Sequence, residues 1–144
     1  MHKNVGKSGK IKKVVVNGTF DLLHGGHIDL LNVAKMHADY LIVAIDTDRR
    51  VKIHKGKDRP VNDQDTRKKI LENIKAVDEV MLFDSNEELI SIISDCDLRI
   101  IGSDWKHKKS AIVGREACKI LFYDRVTDES TTKTIEDYIN RRQL

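Results

Sequence analysis

His24 and His27 are the side chains whose type and spacing point most directly to chemistry. They stand three residues apart in NGTFDLLHGGH, just beyond the unbroken run Val14, Val15, Val16. Three successive β-branched apolar residues read as a strand buried on both faces of a parallel sheet. Asn17 and Gly18 end that run, and Gly25-Gly26 opens an amphipathic helix. A strand, a tight loop and a helix in this order aim the unpaired N–H groups of the helix start, with their partial positive charge, at whatever lies above the strand end. Such a place favours phosphate. At a spacing of three, both imidazoles reach the same anion. A helix cap plus a surface residue accounts for one lone histidine, but poorly for a pair that coincides with a glycine loop and a buried strand. Zinc is disfavoured, because helical metalloprotease ligands lie four apart around a catalytic Glu and neither that Glu nor a third ligand is near.

The elements that must position this pair alternate in type. Strands are expected at 11–17, 40–45, 79–83, 98–101 and 119–123. Helices are expected at 26–37, 63–76, 87–94 and 131–142, with a helical turn at 111–117. Apolar residues follow three-and-four spacing in Ile70, Leu71 and Ile74, in Leu89, Ile92 and Ile93, and in Ile135, Tyr138 and Ile139. The pattern is that of a single Rossmann-like α/β domain with a five-stranded parallel sheet flanked by helices, its ligand crevice at the carboxyl ends of the strands. Residues 1–10 carry Lys3, Lys7 and Lys10 with little to bury and read as a flexible basic tail, leaving 11–144 as the domain.

The chain has 144 residues, enough for one core, and 26 basic against 23 acidic residues leave a net charge of only +3, so no general excess of charge argues for nucleic acid. Aromatics at 5% also argue against a stacking surface for single strands. Cys96 and Cys118 lack metal or redox spacing and fit reduced thiols. No apolar run approaches a membrane span, and the N-terminus lacks a secretion signal, so the expected location is the cytoplasm.

Three further segments fall at expected strand ends. DTDRRVKIHKGKDRPVN, residues 46–62, gathers Arg49, Arg50, Lys52, Lys55, Lys57 and Arg59 into a loop long enough to close over an anion, with Pro60 restraining its end and Asn62 capping the next helix. IIGSDW places Gly102 where a backbone approaches a ligand, Asp104 where a carboxylate meets a ribose hydroxyl or a metal, and Trp105 beside it, as a ligand contact or as packing. DRVTDESTT leads into the last helix through Ser130, Thr131 and Thr132, which serve as caps or as a second phosphate-facing helix start. With no activated Ser or Cys nucleophile, this composition suits phosphoryl chemistry by positioning and charge stabilisation.

GTFDLLHGGH resembles the signature of nucleotidylyltransferases with an H-x-G-H motif, especially the branch holding glycerol-3-phosphate cytidylyltransferase and the heptose-phosphate adenylyltransferases. The resemblance runs from about Lys13 to the C-terminus. It implies that a small phosphorylated acceptor attacks the α-phosphorus of a nucleoside triphosphate and releases pyrophosphate, with magnesium bound mainly through the triphosphate. It also implies a homodimer. By the same resemblance, His24 and His27 stabilise the α-phosphate, Lys55 and Arg67 hold substrate phosphates, and Gly18, Thr19 and Phe20 lie beneath the nucleotide. Gly102, Asp104, Trp105, Arg125, Ser130, Thr131 and Thr132 complete the nucleotide site. SDW and Arg125 are similar to cytidylyltransferases and favour CTP, although Ser103, Val126 and Asp128 depart from their pattern. RPVN is similar to the heptose-phosphate enzymes and keeps open an ATP-dependent adenylyltransferase acting on a heptose phosphate or flavin mononucleotide. From another class, a nucleotide- or RNA-binding module without chemistry is the alternative.

Overall fold

In a computed structural model, the structure describes residues 11–124. Five strands, β1 (Ile11–Gly18), β2 (Ala38–Asp46), β3 (Glu79–Phe83), β4 (Leu98–Gly102) and β5 (Lys119–Tyr123), form one parallel sheet in the order β3-β2-β1-β4-β5. Helices α1 (Gly25–Met36), α2 (Asp48–Lys55), α3 (Gln64–Glu72) and α4 (Asn86–Ser94) connect the first four strands, and a 3₁₀ segment, Ser103–Ala111, follows β4. Strand order reverses between β1 and β4, and in such sheets the crevice outside the strand ends opens at that point.

Alternation along the strands divides the core. Val14, Val16, Leu41, Val43, Ile45 and Ile100 pack with Leu31 and Ala34 of α1 and Leu71 of α3. Val15, Ile42, Ala44 and Phe83 pack on the other face with Leu89, Ile92 and Ile93 of α4 and with Cys96. The apolar run 14–16 is thus buried on both sides, as a central parallel strand requires.

Several expectations are corrected. Residues 46–62 are no open flap, because α2 occupies half of them. Thr47 caps α2 by accepting from the Arg50 N–H, Val51 anchors it in the core, and Gly56 ends it at φ 106°. The segment after it is tied down as well: the Asp21 carboxylate accepts from the Val61 and Asn62 N–H groups at 2.7 and 2.8 Å, and the Lys52 ammonium donates to the Arg59 carbonyl. In α3 the cap is Asp63 rather than Asn62, and the buried face is Arg67 with Leu71, while Ile70 is exposed. The helical segment after β4 is the 3₁₀ stretch Ser103–Ala111, which ends where the expected helical turn at 111–117 begins; residues 112–117 form no helix. The tail 1–10, Arg125, Ser130, Thr131, Thr132 and the expected helix 131–142 lie outside the described residues.

Candidate active site

Phe20 begins the site. It is buried at the tip of β1 with φ 51°, a left-handed conformation uncommon outside glycine and concentrated at functional loops. Gly18 makes that turn possible, since a Cβ there would stand 3.2 Å from the Phe20 ring. The turn delivers the chain to His24, the N-cap of α1. The Nδ1 of His24 accepts from the Gly26 N–H at 3.1 Å, and the Nδ1 of His27 accepts from the His24 N–H at 3.2 Å. This reciprocal cap fixes both rings, with centroids 4.0 Å apart and His27 also 5.5 Å from Phe20. It fixes their tautomers too. A neutral imidazole whose Nδ1 accepts a hydrogen bond carries its proton on Nε2, so each ring is made a donor through Nε2.

Both histidines border a cavity of about 570 Å³ above the strand ends, within the range of small-molecule sites. Gly18, Thr19, Phe20, Lys55, Gly102, Asp104 and Trp105 line the same cavity. The structure therefore gathers nine of the residues singled out from sequence at the switch point of the sheet. Lys55 reaches it from the last turn of α2; the residue is exposed, yet partial burial of its ammonium and the nearby Arg59 guanidinium lower its pKa from the ordinary lysine value. Its basic neighbours are largely committed elsewhere: Arg49 pairs with Asp84, Arg50 with Asp46, and Arg59 with Asp21. Trp105 remains 39% exposed at the rim, open enough to meet a ligand.

Arg67 is placed differently from its expected role on a phosphate. Its side chain is fully buried and outside the cavity lining. Nε donates to the Asn62 carbonyl, Nη1 to the carbonyls of Thr19 and Asp46, and Nη2 to the Asp48 carboxylate, all at 2.9–3.0 Å. The guanidinium thereby joins the β1 loop, the end of β2, α2 and the start of α3. In this structure its donors face the backbone and Asp48, not the cavity.

Sequence reading missed two other buried polar groups. Asp21, 1% exposed, locks the segment before α3 to the β1 loop, and its only signal was a carboxylate inside GTFDLL. Arg99, 4% exposed, lines the cavity from β4, and its signal was a cation inside the apolar strand LRIIG. Among the described residues no group of three His, Cys, Asp or Glu could hold a metal ion. Nor is any described helix long and apolar enough to cross a membrane.

A family model described as cytidylyltransferase-like matches residues 15–143, which takes in the histidine cap and every strand end of the site. The chain belongs to the cytidylyltransferase-like family. Glycerol-3-phosphate cytidylyltransferase of Bacillus subtilis is 40% identical over 129 residues, covering 88% of this chain and 97% of that protein. The bifunctional protein HldE of Nitratiruptor sp. is 41% identical over 137 residues, covering 93% of this chain but only 29% of the relative. Among solved structures, the lipopolysaccharide core biosynthesis protein of Thermoplasma volcanium has the same fold, at TM-score 0.63 and 24% identity over 82% of this chain and 98% of that one. These relatives meet the expectation of a nucleotidyltransferase, and of the branch that GTFDLLHGGH suggested.

Proposed function

We propose that this member of the cytidylyltransferase-like family transfers a cytidylyl group from CTP to a small phosphorylated metabolite. The observation that carries the reading is the reciprocal cap, which turns the Nε2–H groups of two imidazoles and the start of α1 into fixed donors beside one cavity. A phosphate oxygen of the acceptor attacks the α-phosphorus, the bond from that phosphorus to the bridging oxygen breaks, and pyrophosphate leaves with the bonding electrons. Negative charge grows on the non-bridging α-oxygens as this happens. Donors already held in place stabilise it without reorganisation, which is where electrostatic catalysis gains most. Lys55 attracts the anionic groups, and Asp104 and Trp105 meet the nucleoside at the β4 tip. Magnesium would come with the triphosphate, held chiefly by its oxygens and neutralising their charge. Arg125, Ser130, Thr131 and Thr132 belong to this reading as nucleotide contacts, a homodimer as its assembly and the cytoplasm as its location.

SDW and the cytidylyltransferase relative that this chain nearly spans support CTP. RPVN, similar to the heptose-phosphate enzymes, supports the second reading, an adenylyltransferase using ATP. Pyrophosphate release from each of the four ribonucleoside triphosphates, with a panel of phosphorylated polyols, sugars and alcohol amines, separates the two. CTP should be consumed, and should raise the melting temperature in magnesium more than ATP at equal concentration, by mass action on the folded state. Consumption of ATP with the larger shift from ATP replaces the cytidylyl reading, and release from none overturns transfer altogether. Sedimentation equilibrium tests the dimer.

A further inference from the structure

The cavity is lined from both faces of the sheet, by Phe20 and Ile100 on the side of the histidines and by Phe83 and Leu89 on the opposite one. Leu98 and Ile100 turn toward the core shared with α1, so Arg99 between them turns to the α4 side, where Arg50, Phe83, Leu89 and Val113 also line the cavity. Arg99 is 4% exposed, yet no carboxylate pairs with it among the described residues. Its Nε donates to Asn17 Oδ1 at 3.1 Å and its Nη1 to the Val113 carbonyl at 2.6 Å, while Nη2 has no partner among these residues. Burial pushes its pKa down from the ordinary arginine value, and only the Cys118 thiol, not a carboxylate, works against that. A buried cation held by neutral acceptors alone is costly, and an anion arriving beside it recovers the lost interaction.

The triphosphate is already provided for on the other face, by α1 and the histidines. The ligand left for the α4 side of the cavity is the acceptor. We propose that Arg99, steadied by Asn17, is an acceptor-selecting residue that binds an anionic group, a carboxylate or second phosphate, on the acceptor in addition to its attacking phosphate. This rests on the transfer reading above and deepens it, since a neutral polyol phosphate leaves the guanidinium without a counter-charge.

Glycerol 3-phosphate and 3-phosphoglycerate make a suitable pair of probes, because they differ in a hydroxymethyl group against a carboxylate. The wild-type protein should use 3-phosphoglycerate with a kcat/KM at least about tenfold higher, the factor expected when one charge-assisted bond to a buried group is gained. Arg99→Gln should abolish that preference while leaving the KM for the nucleoside triphosphate within about twofold. Arg99→Gln can fail to fold, so Asn17→Asp is the second variant. It sets a carboxylate 3.1 Å from Arg99 Nε, holds the arginine at least as firmly, and should still erase the preference; a merely structural arginine would leave the ranking unchanged. Equal use of the two acceptors by wild type overturns the proposal, as does a loss in Arg99→Gln that falls on the triphosphate. If no acceptor releases pyrophosphate, the transfer reading has failed, and calorimetric binding of the two probes still decides Arg99: tighter binding of 3-phosphoglycerate, lost in both variants, supports the anion site, and equal binding refutes it.

Discussion

Replacing Arg67 with methionine keeps the apolar stem that packs beside Leu71 but removes every bond of the guanidinium. Three carbonyl oxygens, of Thr19, Asp46 and Asn62, lose a charged donor, and each such bond is worth about 1.5–3 kcal/mol before relaxation. Asp48 loses its partner too, but its side chain is 32% exposed and turns to water, so its share is small. Relaxation toward solvent trims the carbonyl terms, and the net loss should be about 3–5 kcal/mol, at the large end of single-substitution effects. With a urea m-value of about 2 kcal/mol/M, the unfolding midpoint should fall by roughly 1.5–2.5 M. Arg67→Lys should recover little of this, since an ammonium cannot span four acceptors set around a planar fork. Below the new midpoint, CTP should still raise the melting temperature of the variant, because Arg67 is a strut under the site. An apo protein with near wild-type stability whose CTP response has vanished would refute this reasoning and return Arg67 to a phosphate-binding role.

His24→Ala and His27→Ala should each lower kcat by about 10²–10³ with triphosphate affinity largely retained, since the Nε2–H donors act on charge that grows in the transition state; near-normal turnover removes the histidine concerned from the mechanism. Each should also lose about 1 kcal/mol of stability, measurable by urea titration, because each ring is half of the α1 cap. Lys55 deprotonates below the usual lysine pKa of 10.5, so the KM for its anionic substrate should climb as pH rises through a value lower than 10.5; Lys55→Arg, which keeps its charge, should delay that climb, and superimposable pH profiles would show that Lys55 takes no part. Cys96 is buried with its pKa pushed up to about 12, so iodoacetamide at pH 8 should label it only after unfolding, as peptide mass mapping would show. Labelling of native protein at Cys96 would mean that this part of the core opens readily.

Local pattern alone carried much of this protein. Val14–Val16 had to be a buried strand because three β-branched apolar residues in succession fit no half-exposed one, and the histidine pair had to sit at a helix start because Gly25-Gly26 follows a broken strand. The four later strands were legible for the same reason, each a short apolar run bounded by polar residues. What local pattern could not decide was where a charge is neutralised. Arg67 and Lys55 are both cations near the same loop, yet one is a buried strut and the other reaches the cavity. Acceptors for Arg67 come from Thr19, Asp46, Asp48 and Asn62, up to 48 residues away and assembled only when β1, β2 and α3 meet. Helix α2 was likewise hidden in a charged stretch of weak apolar period, because its stability comes from the Thr47 cap, the burial of Val51, the pairing of Arg49 with the distant Asp84 and that of Arg50 with Asp46. Arg99 shows the same division: its sequence marks only a cation in an apolar strand, whereas the parity of β4, the Val113 carbonyl and the opening of the sheet between β1 and β4 decide that it faces a cavity.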